Sequence, residues 1–201
     1  MRLPLIPPAD LTSAQKPLYD DMKKGIENNF KGFTAICESG ELIGPWNPWL
    51  AFPHIGKPMW ELVKALSDPR TSSLPKPVRE IAILATGAVF RSGYELYAHV
   101  LMAELRGLSD KAISSVVAGE RPESLSEDEC CAYEVVSSML RGGVLPELLY
   151  NNAVERFGED GAAELIYLIG LYCMISITLN GFDVPIPQKT AEMPAKQTRG
   201  G

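Results

Sequence analysis

At 201 residues, with 46% apolar and 22% charged residues, the chain has the size and composition of one globular domain with a real core. Its formal net charge of -6 and pI of about 5.0, without any cluster of Lys or Arg, speak against nucleic-acid partners and against docking on anionic membranes. The start, MRLPLIPPADL, carries one Arg, but Pro4, Pro7 and Pro8 break its short apolar run, so it does not read as a secretory leader. The four cysteines, Cys37, Cys130, Cys131 and Cys173, show no C-x-x-C or metal-type spacing. Free thiols in a reducing, cytoplasmic setting are the expectation.

In chain order, an extended, proline-stiffened arm (1–10) leads to Thr12 and Gln15, spaced as a capping box. They open a predicted helix over 12–30 that Pro17 and Gly25 weaken. The segment 31–52 is rich in Gly, Pro and Trp and holds Trp46 and Trp49. It reads as a loop with short helical turns over something apolar. Pro53 or Pro58 starts a helix to about 66, and the polar DPRTSSLPKP connects it to a helix over 75–90. There IAILATGAVF carries no charge in ten residues, which predicts burial on most sides. Ser92-Gly93 breaks the chain before a helix over 94–106, closed by Gly107. Ser109 caps a short helix to 119, and Ser126 with Glu129 forms a second capping box for a helix to 140. Pro146 opens another that stops near Gly158, and the last helix covers 159–180. Its apolar run, 165–179, is shorter than the roughly 20 residues of a membrane span and reads as a buried core helix. The tail 189–201 is polar and predicted to be disordered. No strand pattern or repeat stands out, so the expectation is all-α, with one domain over 1–188.

Chemical character concentrates between Arg79 and His99. Glu95 and His99 stand four residues apart on one predicted helix and share a face. A carboxylate there can accept the imidazole N–H, fix its tautomer and raise its pKa. Glu80 lies on the preceding helix among Ile83, Leu84 and Gly87, where desolvation would fit it for proton transfer. If the helices fold back at Ser92-Gly93, Glu80, Glu95 and His99 converge. The alternative is a surface pair at Glu95 and His99, with Glu80 matched by Arg79 or Lys76. With His54 and His99 as the only histidines and no H-E-x-x-H motif, a metal is not expected. His54, in FPHIGKP beyond the Trp-rich loop, could enter the same pocket beneath that loop as a lid, or be a surface histidine. Trp46, Trp49, Phe52 and Trp60 could wall an apolar ligand pocket or be plain core or subunit-interface residues. Tyr94 or Tyr97 could donate to a substrate oxyanion.

The stretch LPKPVREIAILATGAVFRSGYELYAHVLMAELRGLSDKAI resembles the carboxymuconolactone decarboxylase and alkylhydroperoxidase D (AhpD-like) superfamily. Arg79-Glu80 matches the Arg-Glu that opens an apolar helix. Glu95 to His99 matches Glu-x-x-x-His, and Gly107-Leu108-Ser109 matches the segment after it. The late segment LIYLIGLYCMISITLNGFDVPIP is similar to the closing helix of longer members, so the likeness covers roughly 40–187. Peroxidase members carry C-x-x-C with its second Cys four residues before the histidine. Here Ser92 and Glu95 occupy those two places, and neither can form the thiolate or the disulfide of that chemistry.

The resemblance implies an AhpD-like helical bundle, assembled as a homotrimer or homohexamer, that keeps only the acid–base half of the site. The expected activity is a cofactor-independent lyase or isomerase of the carboxymuconolactone decarboxylase-like type, acting on a small lactone, keto acid or polyketide-like compound. His99 is expected as general acid/base, Glu95 as its orienting partner and Glu80 as proton relay. His54, Trp46, Trp49, Tyr94 and Ser92 are expected around the substrate. Two other readings stay open: a non-catalytic ligand-binding or scaffold protein, and a thiol peroxidase with relocated cysteines.

Overall fold

The computed structural model describes residues 1–30 and 32–187, so the tail 189–201 lies outside the described residues. After a 3-10 turn at Pro8–Asp10, the helices are α1 (Lys16–Asn29), α2 (Trp46–Ala51), α3 (Pro53–Ser67), α4 (Lys76–Phe90), α5 (Gly93–Leu105), α6 (Asp110–Val117), α7 (Glu127–Leu140) and α8 (Glu147–Gly181). Among the described residues, the one pairing of extended backbone is an antiparallel bridge between Ile36 and Leu42.

The elements start where local chemistry tells them to. The Thr12–Gln15 bonds form in both directions, Thr12 N–H to Gln15 Oε1 at 3.0 Å and Gln15 N–H to Thr12 Oγ1 at 3.3 Å. α1 then starts one residue later, with Pro17 in its first turn, where a missing N–H costs nothing. Gly25 does not break α1. A Cβ there would collide with the Trp60 ring, so the glycine is the space into which α3 packs its tryptophan. Ser126 and Glu129 complete a capping box at α7. Gly158, at φ 72° and ψ 172°, interrupts α8 at the place where the sequence predicts one helix to stop and the next to begin.

α4 is the centre. All ten residues from position 78 to 87 are buried, as its uncharged stretch predicts. It packs against α8, α7, α5 and α6. One apolar cluster joins Ile81, Leu84, Val135, Val136, Leu165 and Leu168 between α4, α7 and α8. A second joins Met22, Leu50, Trp60 and Tyr94 with Ile175 and Leu179, so that α1–α3 form a layer over α5 and the end of α8. Burying each large aliphatic side chain of such a cluster contributes about 1.5–3 kcal/mol before conformational entropy is charged against it.

α8 is longer than the apolar run within it. By length and composition alone it is long and apolar enough to cross a membrane, and 44% of its most apolar window is buried inside the chain. The buried face, including Leu165, Leu168, Leu171, Ile175 and Leu179, is the core expected of 165–179. Tyr167, Met174 and Ile177 line the exposed side.

A buried clamp fixes the 68–75 connector. Glu164 of α8 accepts from Ser72 Oγ (2.8 Å), Ser73 N–H (2.6 Å) and Leu74 N–H (3.3 Å), and it pairs with Arg79. Asn180 Nδ2 donates to the Phe90 carbonyl at 2.7 Å, tying the end of α8 to the last turn of α4.

Candidate active site

The site forms where α4, α5 and α8 meet the α1–α3 layer. Arg91, in the left-handed region at φ 49°, turns the chain after α4, and the Ser92 N–H donates back to the Gly87 carbonyl at 3.0 Å. α5 therefore returns alongside α4 and brings the two carboxylates to the histidine.

His99 sits between them. Its Nδ1 lies 2.7 Å from Glu80 Oε2, and its Nε2 lies 3.2 Å from Glu95 Oε1. Glu80 is 1% exposed, Glu95 4% and His99 8%. The surface-pair alternative for Glu95 and His99 is therefore not what the fold contains. Glu80 has a second partner, Arg106, with Nη1 at 2.7 Å from Oε1. Sequence reasoning missed Arg106, although a signal existed: seven residues past His99 is two helical turns, so both share one face. Tyr172 was also missed. Its ring meets His99 edge-on at 5.1 Å between centroids, and nothing in its apolar surroundings on α8 marked it.

These contacts set the protonation chemistry. Burial pushes the Glu95 carboxyl up to about 7, against the pull of His99 and with a push from Glu80. Burial alone would push the His99 imidazole down. The carboxylates of Glu80 and Glu95 outweigh it, and the group stays above its ordinary value. Burial, with Glu95 and Glu80 nearby, holds the Tyr172 phenol well above its usual range. It is a neutral hydroxyl that makes no hydrogen bond among the described residues. A carboxyl pushed up to about 7 therefore lies 3.2 Å from an imidazole held above its ordinary value, the kind of perturbed pair that marks candidate sites.

One wall of a small cavity is made by Glu95, His99 and Tyr172, and the rest by aromatic and apolar side chains that include Trp46, Trp49 and Tyr94. Phe30 and Phe33 complete it, with Phe33 stacked on Trp46 at 6.3 Å and Phe30 edge-on to Trp46 at 5.7 Å. The cavity measures about 30 Å³, room for about two water molecules. Two polar atoms of its lining residues are buried without a hydrogen bond, Trp46 Nε1 and Glu95 Oε1.

The other sequence candidates fall elsewhere. His54 is exposed in the first turn of α3 and lines neither this cavity nor the cleft on the Glu80 side of His99. The inward positions of α3 are Gly56, Met59, Trp60 and Val63, and helical period turns position 54 away from them. Ser92 is fully buried at the start of α5 with its Oγ unpaired, and it is not part of the lining. Tyr94 contributes its ring, but its hydroxyl donates to the Thr34 carbonyl at 2.9 Å, and the Tyr97 hydroxyl accepts from the Thr34 N–H at 3.1 Å. Both tyrosines thus pin the backbone of the 31–52 segment over the site. That segment contains the expected short helical turn, α2, and Trp46 and Trp49 on it are 5% and 4% exposed. No cysteine lines the cavity, and burial pushes the thiols of Cys37, Cys131 and Cys173 up.

Neither the family models nor the curated proteins compared with the chain gave a match. A solved structure did: a protein of unknown function from Agrobacterium tumefaciens whose description points to an antioxidant-defence AhpD. It superposes with a TM-score of 0.61 at 16% sequence identity, over 71% of this chain and 97% of that one. At that identity the likeness speaks for architecture. The chain has the all-helical AhpD-like fold that its Arg79–His99 segment led us to expect.

Proposed function

We propose that the chain is a cofactor-independent acid–base enzyme acting on a small carbonyl compound, a lactone, keto acid or polyketide-like molecule, by decarboxylation, isomerisation or ring rearrangement. One observation carries the reading: a buried imidazole held between two buried carboxylates at the wall of an aromatic cavity. A structural ion pair has no need of a third ionisable group whose charged form burial opposes.

The geometry favours a division of roles that differs from the sequence expectation. Glu80, fixed by Arg106, orients the ring by accepting from Nδ1–H, which leaves the Nε2 lone pair on the Glu95 side. Glu95 lines the cavity and lies 3.2 Å from Nε2, near enough to pass a proton to it once the two are aligned. Proton abstraction next to a carbonyl would move that proton to His99 or Glu95 and return it to the product carbon. Tyr172, as a neutral donor, is available to the developing enolate oxygen. Such catalysis contributes about 10²–10⁴-fold. Admission of a substrate requires the aromatic wall, above all the segment 31–52, to move.

The test is deuterium exchange in D2O. Candidate lactones and keto acids are incubated with the protein, and products and recovered substrate are read by mass spectrometry. Wild type is expected to exchange or convert one class, and a folded His99→Ala variant to lose that activity. Exchange at the wild-type rate by His99→Ala refutes the assignment.

The loss of the redox cysteines at Ser92 and Glu95 supports a second reading, a ligand-binding protein without turnover. Thermal stabilisation by a compound that is neither exchanged nor converted would select it. The raised thiols and their distance in sequence from His99 speak against a relocated peroxidase. The expected homotrimer or homohexamer belongs to this proposal. The exposed Tyr167, Met174 and Ile177 of α8 support it as an apolar face, and light scattering on the eluting protein tests it.

A further inference from the structure

His99 borders two cavities. On its Glu95 side lies the aromatic one. On its Glu80 side lies a separate cleft of about 340 Å³, whose lining includes Lys76, Arg79, Glu80, Arg106 and Tyr172. The two differ in character: the first is walled by tryptophan, phenylalanine and tyrosine rings, whereas the second carries three cationic side chains, Lys76, Arg79 and Arg106, beside Glu80 and among neutral polar and apolar ones. Only Phe30, His99 and Tyr172 belong to both.

The charges of the cleft do not cancel. Arg79 is matched by Glu164 behind it, and Arg106 by Glu80. Lys76, exposed at the start of α4, has no ion-pair or hydrogen-bond partner among the described residues. With the imidazole neutral, one positive charge is therefore left over, in a chain whose net charge is -6. Arg106 approaches Glu80 most closely with Nη1, and no hydrogen bond from its Nε or Nη2 forms among the described residues, so that edge of its planar fork is available. A planar fork beside a lone ammonium suits a carboxylate, which has two oxygens in one plane and a single charge. A phosphate dianion would overcompensate the one excess charge. The buried floor, Glu80 and His99, would be sheltered from solvent by a bound ligand.

We propose that this cleft is a binding site for the carboxylate group of a small organic monoanion, held by Lys76 and the outer edge of Arg106. The proposal does not depend on catalysis. A purely ligand-binding protein would show it equally, and an enzyme could lack it.

Benzoate serves as probe, titrated at constant ionic strength against chloride, with benzamide as its uncharged isostere and inorganic phosphate as the competing anion. Binding is read by calorimetry and by the imidazole resonances in NMR, where exposed His54 is an internal reference. Saturable benzoate binding that moves the His99 signal and leaves His54 in place is expected. Lys76→Gln, an exposed substitution, is expected to weaken that binding about tenfold. The proposal is overturned if Lys76→Gln binds benzoate like wild type, which would put the probe in the aromatic cavity. Benzamide binding as tightly as benzoate, phosphate binding more tightly, or no saturable binding also overturns it.

Discussion

Replacing Glu80 by Gln removes the charge on which the site turns and keeps the shape. In the wild type the imidazole stays above its ordinary 6.5 because two carboxylates outweigh burial. The nearer contact is Glu80 Oε2, at 2.7 Å from Nδ1. With charge centres roughly 4 Å apart and an effective dielectric of about 20, that attraction is about 4 kcal/mol. Burial and the neighbouring Arg106 then act with only Glu95 against them, so His99 in Glu80→Gln is expected to titrate below the ordinary imidazole value. The linkage changes sign with it. A raised folded value contributes stability that is full below about 6.5 and lost as pH rises through the folded pKa; a depressed value does the reverse. Folding is expected to be weakened by about 3 kcal/mol at pH 6, the low end for breaking a buried pair, because the Arg106 side chain is 24% exposed and can hydrate. The assay is an NMR titration of the two imidazoles, assigned with a His54→Asn variant, beside urea denaturation at the same pH. A His99 that still titrates above 6.5 in Glu80→Gln refutes the reasoning.

Two further substitutions probe the same electrostatics and its scaffold. Glu95 has a folded pKa of about 7 against 4.5 for the free group, so the folded state holds its proton longer and stability falls as pH rises from about 4.5 through 7. Glu95→Gln should flatten that slope and be more stable than wild type at pH 8 by about 1–3 kcal/mol in urea melts. An unchanged slope removes Glu95 as its source. Glu164→Ala strips Arg79 of its partner and leaves the Ser73 and Leu74 amides without an acceptor. A loss of about 3–5 kcal/mol is expected, with faster hydrogen exchange at those amides, and a loss under 1 kcal/mol would show that the connector does not need the clamp.

Most of the architecture was legible from signals that act over one helical turn. Ser109 and Ser126 cap helices where they stand, Gly158 breaks α8, and an uncharged stretch became the most buried helix. The convergence of Glu80, Glu95 and His99 could be anticipated because a short break at 91–92 between two apolar helices forces them antiparallel. What was not legible depends on tertiary neighbours. Tyr172 reaches His99 from 73 positions away along the chain, and no local pattern separates it from the core residues around it. The choice between pocket and surface for His54 stayed open because the sequence shows that α3 has an inward face without showing which face it is. The 3.6-residue period links 56, 59, 60 and 63, but only Trp60, seated against Gly25, fixes that stripe as the buried one.

The pair Ser92 and Glu95 shows how burial decides between two uses of one pattern. Ser-x-x-Glu is a capping box, and at Ser126 and Glu129 both of its hydrogen bonds form. Ser92 and Glu95 have the same spacing at the start of α5, yet Ser92 makes no side-chain cap bond and Glu95 points to His99. Ser126 is exposed, and there the carboxylate has no better partner than the backbone. Ser92 is 0% exposed, and there the carboxylate lies beside an imidazole. The start of α5 thereby forgoes a cap worth about 1 kcal/mol and buries an unpaired hydroxyl, at a cost of about 1–3 kcal/mol. Local rules broken together in this way mark places where function competes with stability. Ser92→Ala removes the buried hydroxyl without opening a cavity larger than one oxygen atom. It is expected to leave stability unchanged or raise it by up to about 1 kcal/mol in urea denaturation. A loss above 1 kcal/mol would mean that the Ser92 hydroxyl supports the fold, and that the cap at this helix was exchanged for something other than the Glu95–His99 contact.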